Sequence, residues 1–249
     1  MTNWIKLPIH SINPYDLDIG FVRFKGVKMH IIELFDHDSL QVKDFVKNCV
    51  TILECINKVL TEIKYPFDIF RKPTDEHVYM AFKKFRFTYH RKFINKVDYW
   101  QTASETAWLK MGDCEDSSTL MHTIFIMRSI DSLWCIGLVY LRNRMLGGHA
   151  WVVGKLDQNY RLVETTLEQP VPSITFFPVV NIDETNWKWK QLTYVPILAI
   201  HNLNELWLNK EFLYCSWKIS EVIKRYLEYK VISRKLRAIK LIRKHLLEE

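Results

Sequence analysis

Three residues in this chain have the types and the order that acyl-transfer chemistry at a thiol requires: Cys114, His149 and Glu164. They sit in the segments 112–118 (GDCEDSS), 148–153 (GHAWVV) and 162–166 (LVETT). A sulfur nucleophile acts as the thiolate, needs a base to hold its proton, and needs a third group to fix the base's tautomer. Asp113 is a good N-cap, with Asp116 three residues on. That puts Cys114 in the first turn of a helix, where the positive end of the macrodipole faces the sulfur. The flanking carboxylates Asp113, Glu115 and Asp116 oppose that effect, so a positive partner is expected, and a protonated His149 would supply it.

His149 to Leu156 and Tyr160 to Thr166 read as a hairpin around residues 157–159. If its turn is the pair Asp157-Gln158, Leu156 lies opposite Asn159, and counting back sets His149 opposite Thr166. Glu164 then shares the face of His149 one diagonal step away, roughly 7–8 Å and within reach of a long side chain. A three-residue loop would reverse the parity and separate them. An isolated cysteine is usually a small core residue, and a lone histidine beside a buried strand is usually a satisfied core group. A glutamate in an apolar strand is odder, because a buried carboxylate is costly unless paired. A zinc site on Cys114 and His149 lacks a nearby third and fourth ligand.

The three segments, continuous in order from about Tyr99 to Thr166, resemble the transglutaminase-like superfamily, in particular its microbial cysteine peptidase branch with a papain-like triad. The resemblance covers roughly a quarter to a third of the chain. It implies an α+β, transglutaminase-like core, with the nucleophile at a helix N-terminus packed on an antiparallel sheet. It also implies Cys114 as nucleophile, His149 as general base and acid, and Glu164 as orienter. The family more often has aspartate at the third position, so Glu164 departs from its pattern. The oxyanion site of such enzymes combines the cysteine's backbone N–H with an upstream side-chain donor. Gln101 is the candidate here with Trp100 beside it, although Trp100 also reads as a core residue. Some relatives bind calcium through acids flanking the nucleophile, which makes Asp113 and Glu115 candidate ligands. Without a glycine-punctuated acidic loop, capping roles are preferred and no resident cofactor is expected.

The elements that must hold these residues follow from periodicity. Phe21 to Phe35 alternates as a hairpin or two short strands around Lys25-Gly26. Asp38-Ser39 caps a helix expected to run to about Lys64, with Cys49 on its buried stripe. Val78 to Phe93 interleaves bases and aromatics, better explained as a half-buried strand or amphipathic helix than as a nucleic-acid surface. Thr102 and Glu105 form a capping box for a short helix that Gly112 is expected to end. The helix opened by Asp113 is expected to end near Ile130, with Leu120, Ile124 and Met127 on its apolar face. Trp134 to Leu141 is apolar throughout, as a strand covered on both faces would be. Asn143 to Gly148 is expected to turn the chain, and Gln191 to Ile200 to add a strand. Ile219 to Leu247 reads as a long amphipathic helix.

The organisation expected is an N-terminal α/β segment over 1–95 packing on the core, a catalytic core over 96–210, and a basic C-terminal helix over 211–249. With 48% hydrophobic and 25% charged residues, only 7 glycines and 8 prolines, and no repeat, the chain reads as folded without long linkers. Its net charge of +7 is concentrated from Lys218 onward. That helix is therefore a candidate contact for an acidic partner, nucleic acid or anionic surface, although solvated charge is its plainer role. Five scattered cysteines without CxxC spacing, no signal-peptide core and no apolar run of membrane length point to a reducing, cytoplasmic compartment. Export by a route without a cleaved signal stays open. The function expected is hydrolysis of an amide bond in a protein or peptide through a thioester. Acyl transfer to an amine, or a catalytically silent binding module of the same fold, are the alternatives.

Overall fold

The computed structural model describes residues 4–9, 22–24, 27–28, 31–64, 100–166, 176–179, 182–189 and 191–213. The expectations for Val78 to Phe93 and for the basic helix over 219–247 lie outside the described residues, as do Tyr99 and Cys215. In chain order the strands are β1 (Trp4–Pro8), β2 (Val22–Phe24), β3 (Val27–Lys28), β4 (Ser132–Leu141), β5 (Arg144–Leu156), β6 (Asn159–Val163), β7 (Phe176–Val179), β8 (Trp187–Trp189), β9 (Leu192–His201) and β10 (Glu205–Asn209). The helices are α1 (Leu40–Val46), α2 (Ile52–Glu62), α3 (Ala103–Leu109), α4 (Cys114–Met127) and a last turn α5 (Lys210–Leu213).

The fold is α+β. One antiparallel sheet runs β1-β10-β9-β4-β5-β6-β7, with β8 also paired to β9, and β2 and β3 form a separate two-stranded pair. Strand β4 lies between β5 and β9 and is buried along nearly its whole length, as its unbroken apolar run requires. Helix α4 packs on β4 and β5 and meets α2 and α3 on its other side. It is therefore buried all round: every residue from Cys114 to Phe125 is inaccessible, and the expected single apolar face does not exist. Several of its polar side chains are satisfied close by. Ser117 donates to the Asp113 carbonyl at 2.8 Å, Thr123 to the Thr119 carbonyl at 2.8 Å, and Ser118 accepts the Trp134 indole N–H at 2.9 Å. At Gly154 a Cβ would meet the Phe125 ring at 2.3 Å, so helix and sheet approach closely only because that position lacks a side chain.

Several boundaries differ from expectation for definable reasons. The helix expected from Asp38 to Lys64 is two helices. Ser39 caps α1, and Thr51 with Glu54 forms a full capping box that starts α2 afresh. Apolar periodicity runs through the break and hides it. Helix α3 ends two residues before Gly112, on Lys110 in the left-handed region at φ 52°. Helix α4 ends at Met127 rather than Ile130. Strand β5 already begins at Arg144, leaving only Arg142-Asn143 between Leu141 and its partner Arg144.

Beyond the end of α4, Asp131 gathers three elements. It accepts from His201 Nε2 at 2.7 Å, from Asn202 Nδ2 at 2.6 Å and from the Tyr160 hydroxyl, while Glu205 faces His201 Nδ1 at 3.2 Å. One turn before the helix end, His122 is fully buried, with Nδ1 3.1 Å from Ser132 Oγ and the Phe35 ring edge-on. Burial, and secondarily the nearby His201, pushes the His122 pKa down to about 3. A histidine depressed in the fold is neutral there but binds a proton in the unfolded chain below about pH 6.5. Its contribution to stability is thus complete above about pH 6.5 and is lost as pH falls toward 3. Denaturant titrations of wild type and His122→Gln across that range should show a steeper loss for wild type, on the order of a few kcal/mol by pH 4.

Candidate active site

The site is built where α4 begins. Asp113 is the N-cap in extended backbone, and the Asp116 carboxylate accepts three N–H groups: the Asp113 amide at 3.1 Å, the Gln101 amide at 2.7 Å and Gln101 Nε2 at 3.0 Å. One buried carboxylate thus ties the segment before α3, at Gln101, to the first turn of α4. Gly112 is needed for this rather than for ending α3. A Cβ there would stand 2.5 Å from Asp116 Cβ. The same loop is pinned from behind, where Lys64 at the end of α2 accepts the Gly112 N–H at 3.1 Å and donates to the Lys110 carbonyl at 3.0 Å.

Cys114 is the first residue of α4, at the positive end of a fourteen-residue helix, and only 1% exposed. Its Sγ–H donates to Glu115 Oε2 at 3.0 Å. Glu115 is itself buried, so the thiol rests against a carboxylate, a neighbour that opposes a second negative charge on the sulfur. Gln101 is buried, with one side-chain N–H on Asp116 and its oxygen accepting from Thr106 Oγ1 at 3.4 Å. An amide nitrogen carries two hydrogens, so a second donor remains in its chemistry. Trp100 sets its ring edge-on against Trp134 at 5.8 Å, the packing role that its sequence context also allows.

The hairpin turns on Asp157-Gln158, both at positive φ (48° and 69°), with Leu156 paired to Asn159. This is the register that puts Glu164 on the face of His149. The ladder itself ends at Val152–Val163, and the side chains close the remaining gap. His149 Nε2 lies 2.8 Å from Glu164 Oε2 and 3.0 Å from Oε1. Glu164 is fully buried and accepts further from the Thr166 amide at 3.1 Å, Thr166 Oγ1 at 2.7 Å and the Tyr194 hydroxyl at 3.0 Å. Burial alone would raise its pKa, but the charge and hydrogen bond of His149, with the two Thr166 bonds, outweigh it and hold the carboxyl below the usual range. The Tyr194 phenol is pushed well up by burial and by Glu164, so it remains a donor. The second imidazole nitrogen, Nδ1, is buried and has no hydrogen-bond partner among the described residues.

The structure therefore brings His149 and Glu164 together, and the thiol's hydrogen bond goes to Glu115 rather than to the imidazole. His149 and Trp151, two residues apart on β5, share one face of the strand beside Tyr194. The two halves of the site meet through Ser117, one turn after Cys114, whose hydroxyl lies 2.9 Å from that of Thr165, the neighbour of Glu164. Sequence reasoning missed Tyr194 and Thr166. Thr166 was within reach, since a threonine two residues after a buried acid can donate back to it. Tyr194 reaches Glu164 only through a strand thirty residues on.

Asp113, Cys114 and Glu115 hold one ligand atom each within 4.8 Å of one another. Calcium takes six to eight oxygens. One of these three atoms is sulfur, and the Glu115 oxygen already accepts the thiol proton, so among the described residues this set does not fit that ion. No helix of the described residues is long and apolar enough to cross a membrane. A scan against protein-family models finds no match to the chain, and a search of curated proteins finds none either.

Because Gly112 owes its identity to the Asp116 contact, Gly112→Ala should destabilise the fold by about 1–3 kcal/mol through overpacking. The effect should be read as a lower denaturant midpoint at unchanged m-value. Because the clash is with Asp116 Cβ, Asp116→Gly rather than Asp116→Ala should make the two substitutions less than additive in a double-mutant cycle.

Proposed function

We propose that this protein is a cysteine-dependent amide hydrolase of the transglutaminase-like kind, with Cys114 as nucleophile, His149 as base and acid, and Glu164 as orienter. The observation that carries the reading is the imidazole itself. Its Nε2 is held by a fully buried carboxylate that accepts from four donors, this nitrogen included, while its Nδ1 has no partner among the described residues. A structural histidine has no need of a buried charge on one nitrogen and nothing on the other. A base does, and catalytic hydrogen bonds commonly tighten only in the substrate complex.

In this reading His149 takes the Cys114 proton and the thiolate adds to the carbonyl carbon of an amide. The C–N bond then breaks as the imidazolium returns its proton to the leaving amine, giving a thioester. Water, activated by the same imidazole, adds to the thioester and releases the carboxylic acid and the thiol. The backbone N–H at the head of α4 and the second Gln101 N–H are suited to the oxyanion, a contact that typically contributes ~10²–10³ in rate. Aminolysis of the same thioester would give a transglutaminase.

A second reading, the silent binding module, is favoured by one specific observation: the thiol donates to Glu115, and both Cys114 and His149 are closed to solvent. Iodoacetamide labelling of each cysteine against pH, read by peptide mass in wild type and His149→Ala, separates the two. The enzyme reading expects selective labelling of Cys114, with a rate–pH profile that moves to higher pH without His149, and loss of amide turnover in Cys114→Ala. Labelling of Cys114 no faster than an ordinary thiol, indifferent to His149, would establish the silent module.

A further inference from the structure

The groups around Glu164 share one property: all of them give protons. Oε1 receives the Thr166 N–H at 3.1 Å and the Thr166 O–H at 2.7 Å, and Oε2 receives the Tyr194 O–H at 3.0 Å. A protonated carboxyl would need an acceptor, and none of these groups offers one except by giving up its own hydrogen bond. His149 Nε2, 2.8 Å from Oε2, completes the set only by carrying a hydrogen of its own. Among the described residues, the titratable groups recorded as bonded to Glu164 are His149 on β5 and Tyr194 on β9.

From this ring of donors we infer that Tyr194 is a positioning residue of the site: through Glu164, its hydroxyl together with Thr166 fixes His149 as the Nε2–H tautomer, which leaves the lone pair on Nδ1. Its ring has a second role that can be separated from the hydroxyl. It stands edge-on to Trp151 at 5.2 Å and tilted to His149 at 6.3 Å, while Trp151 stacks on His149 at 6.1 Å. The aromatic pair encloses the imidazole and limits its rotation, and the hydroxyl orients the carboxylate that holds it. Tyr194 is placed to do this because β9 and β5 both flank β4: Val139 pairs with Tyr194 on one side and with Gly147, two residues before His149, on the other. The tyrosine and the histidine thus share a face across the central strand.

Removing only the hydroxyl should make Glu164 a stronger acceptor for the His149 N–H and leave the carboxylate with one fewer bond to orient it. The consequence for rate rests on the catalytic reading above, but the tautomer does not, and the experiment separates them. In ¹⁵N-histidine-labelled protein, two-bond ¹H–¹⁵N correlation of His149 should show Nε2–H in wild type. In Tyr194→Phe the Nε2–H proton resonance should move downfield, as a strengthened hydrogen bond requires, and Cys114 alkylation at neutral pH should slow severalfold. Introducing 3-fluorotyrosine at position 194, a stronger donor of nearly the same shape, should move the resonance in the opposite direction, and serves also if Tyr194→Phe does not fold. An Nδ1–H tautomer in wild type, or a resonance unmoved by either substitution, would overturn the inference. A moved resonance with Cys114 alkylation indifferent to His149→Ala would uphold it and overturn the enzyme.

Discussion

A single buried negative charge organises this half of the molecule. Taking a carboxylate out of water is expensive unless nearly every lone pair is met, and Glu164 meets that demand with an imidazole, a backbone amide and two hydroxyls drawn from β5, β9 and its own loop. Each donor is fixed by something else: Tyr194 by the central ladder, Thr166 by the turn after β6, and His149 by stacking on Trp151. The arrangement is satisfied only in one registration of three strands. The residue most costly to bury is thereby the one that most narrowly specifies how the sheet is put together.

A similar economy holds at the head of α4. Asp116 spends its carboxylate on N–H groups of Asp113 and Gln101, so the turn that presents Cys114 is secured by hydrogen bonds to backbone rather than by surface ion pairs. The surroundings of α4 explain why a helix so rich in serine and threonine tolerates complete burial: their hydroxyls fold back on carbonyls one turn earlier, or on Trp134 and Thr165.

What could be read from the sequence was what local rules determine. The capping box of Thr102 and Glu105, the N-cap at Asp113, the doubly covered strand β4 and the parity of the β5–β6 hairpin all follow from residues within a few positions of one another. The break between α1 and α2 escaped because the apolar stripe continues across it, although the Thr51–Glu54 box marks the restart. The left-handed cap at Lys110 escaped because lysine is a poor residue for it and Gly112, two positions on, is a good one. That glycine turned out to serve a contact rather than a turn. Tyr194 and the hydrogen bond from thiol to Glu115 were invisible for another reason: both depend on where a side chain arrives in space.

Strand β1 has a bearing on how the protein is made. Trp4 to Pro8 pairs with Glu205 to Asn209, and Trp4 packs on Trp207, over whose ring the Lys6 ammonium lies 3.7 Å from the centroid. These partners stand about 200 residues apart. During synthesis β1 has no mate until nearly all of the described residues that follow it have been made. Because β1 is itself the edge of the sheet beside β10, its pairing moves the unpaired edge from β10 to a five-residue strand ending in Pro8, a short edge with one N–H fewer to offer a second chain.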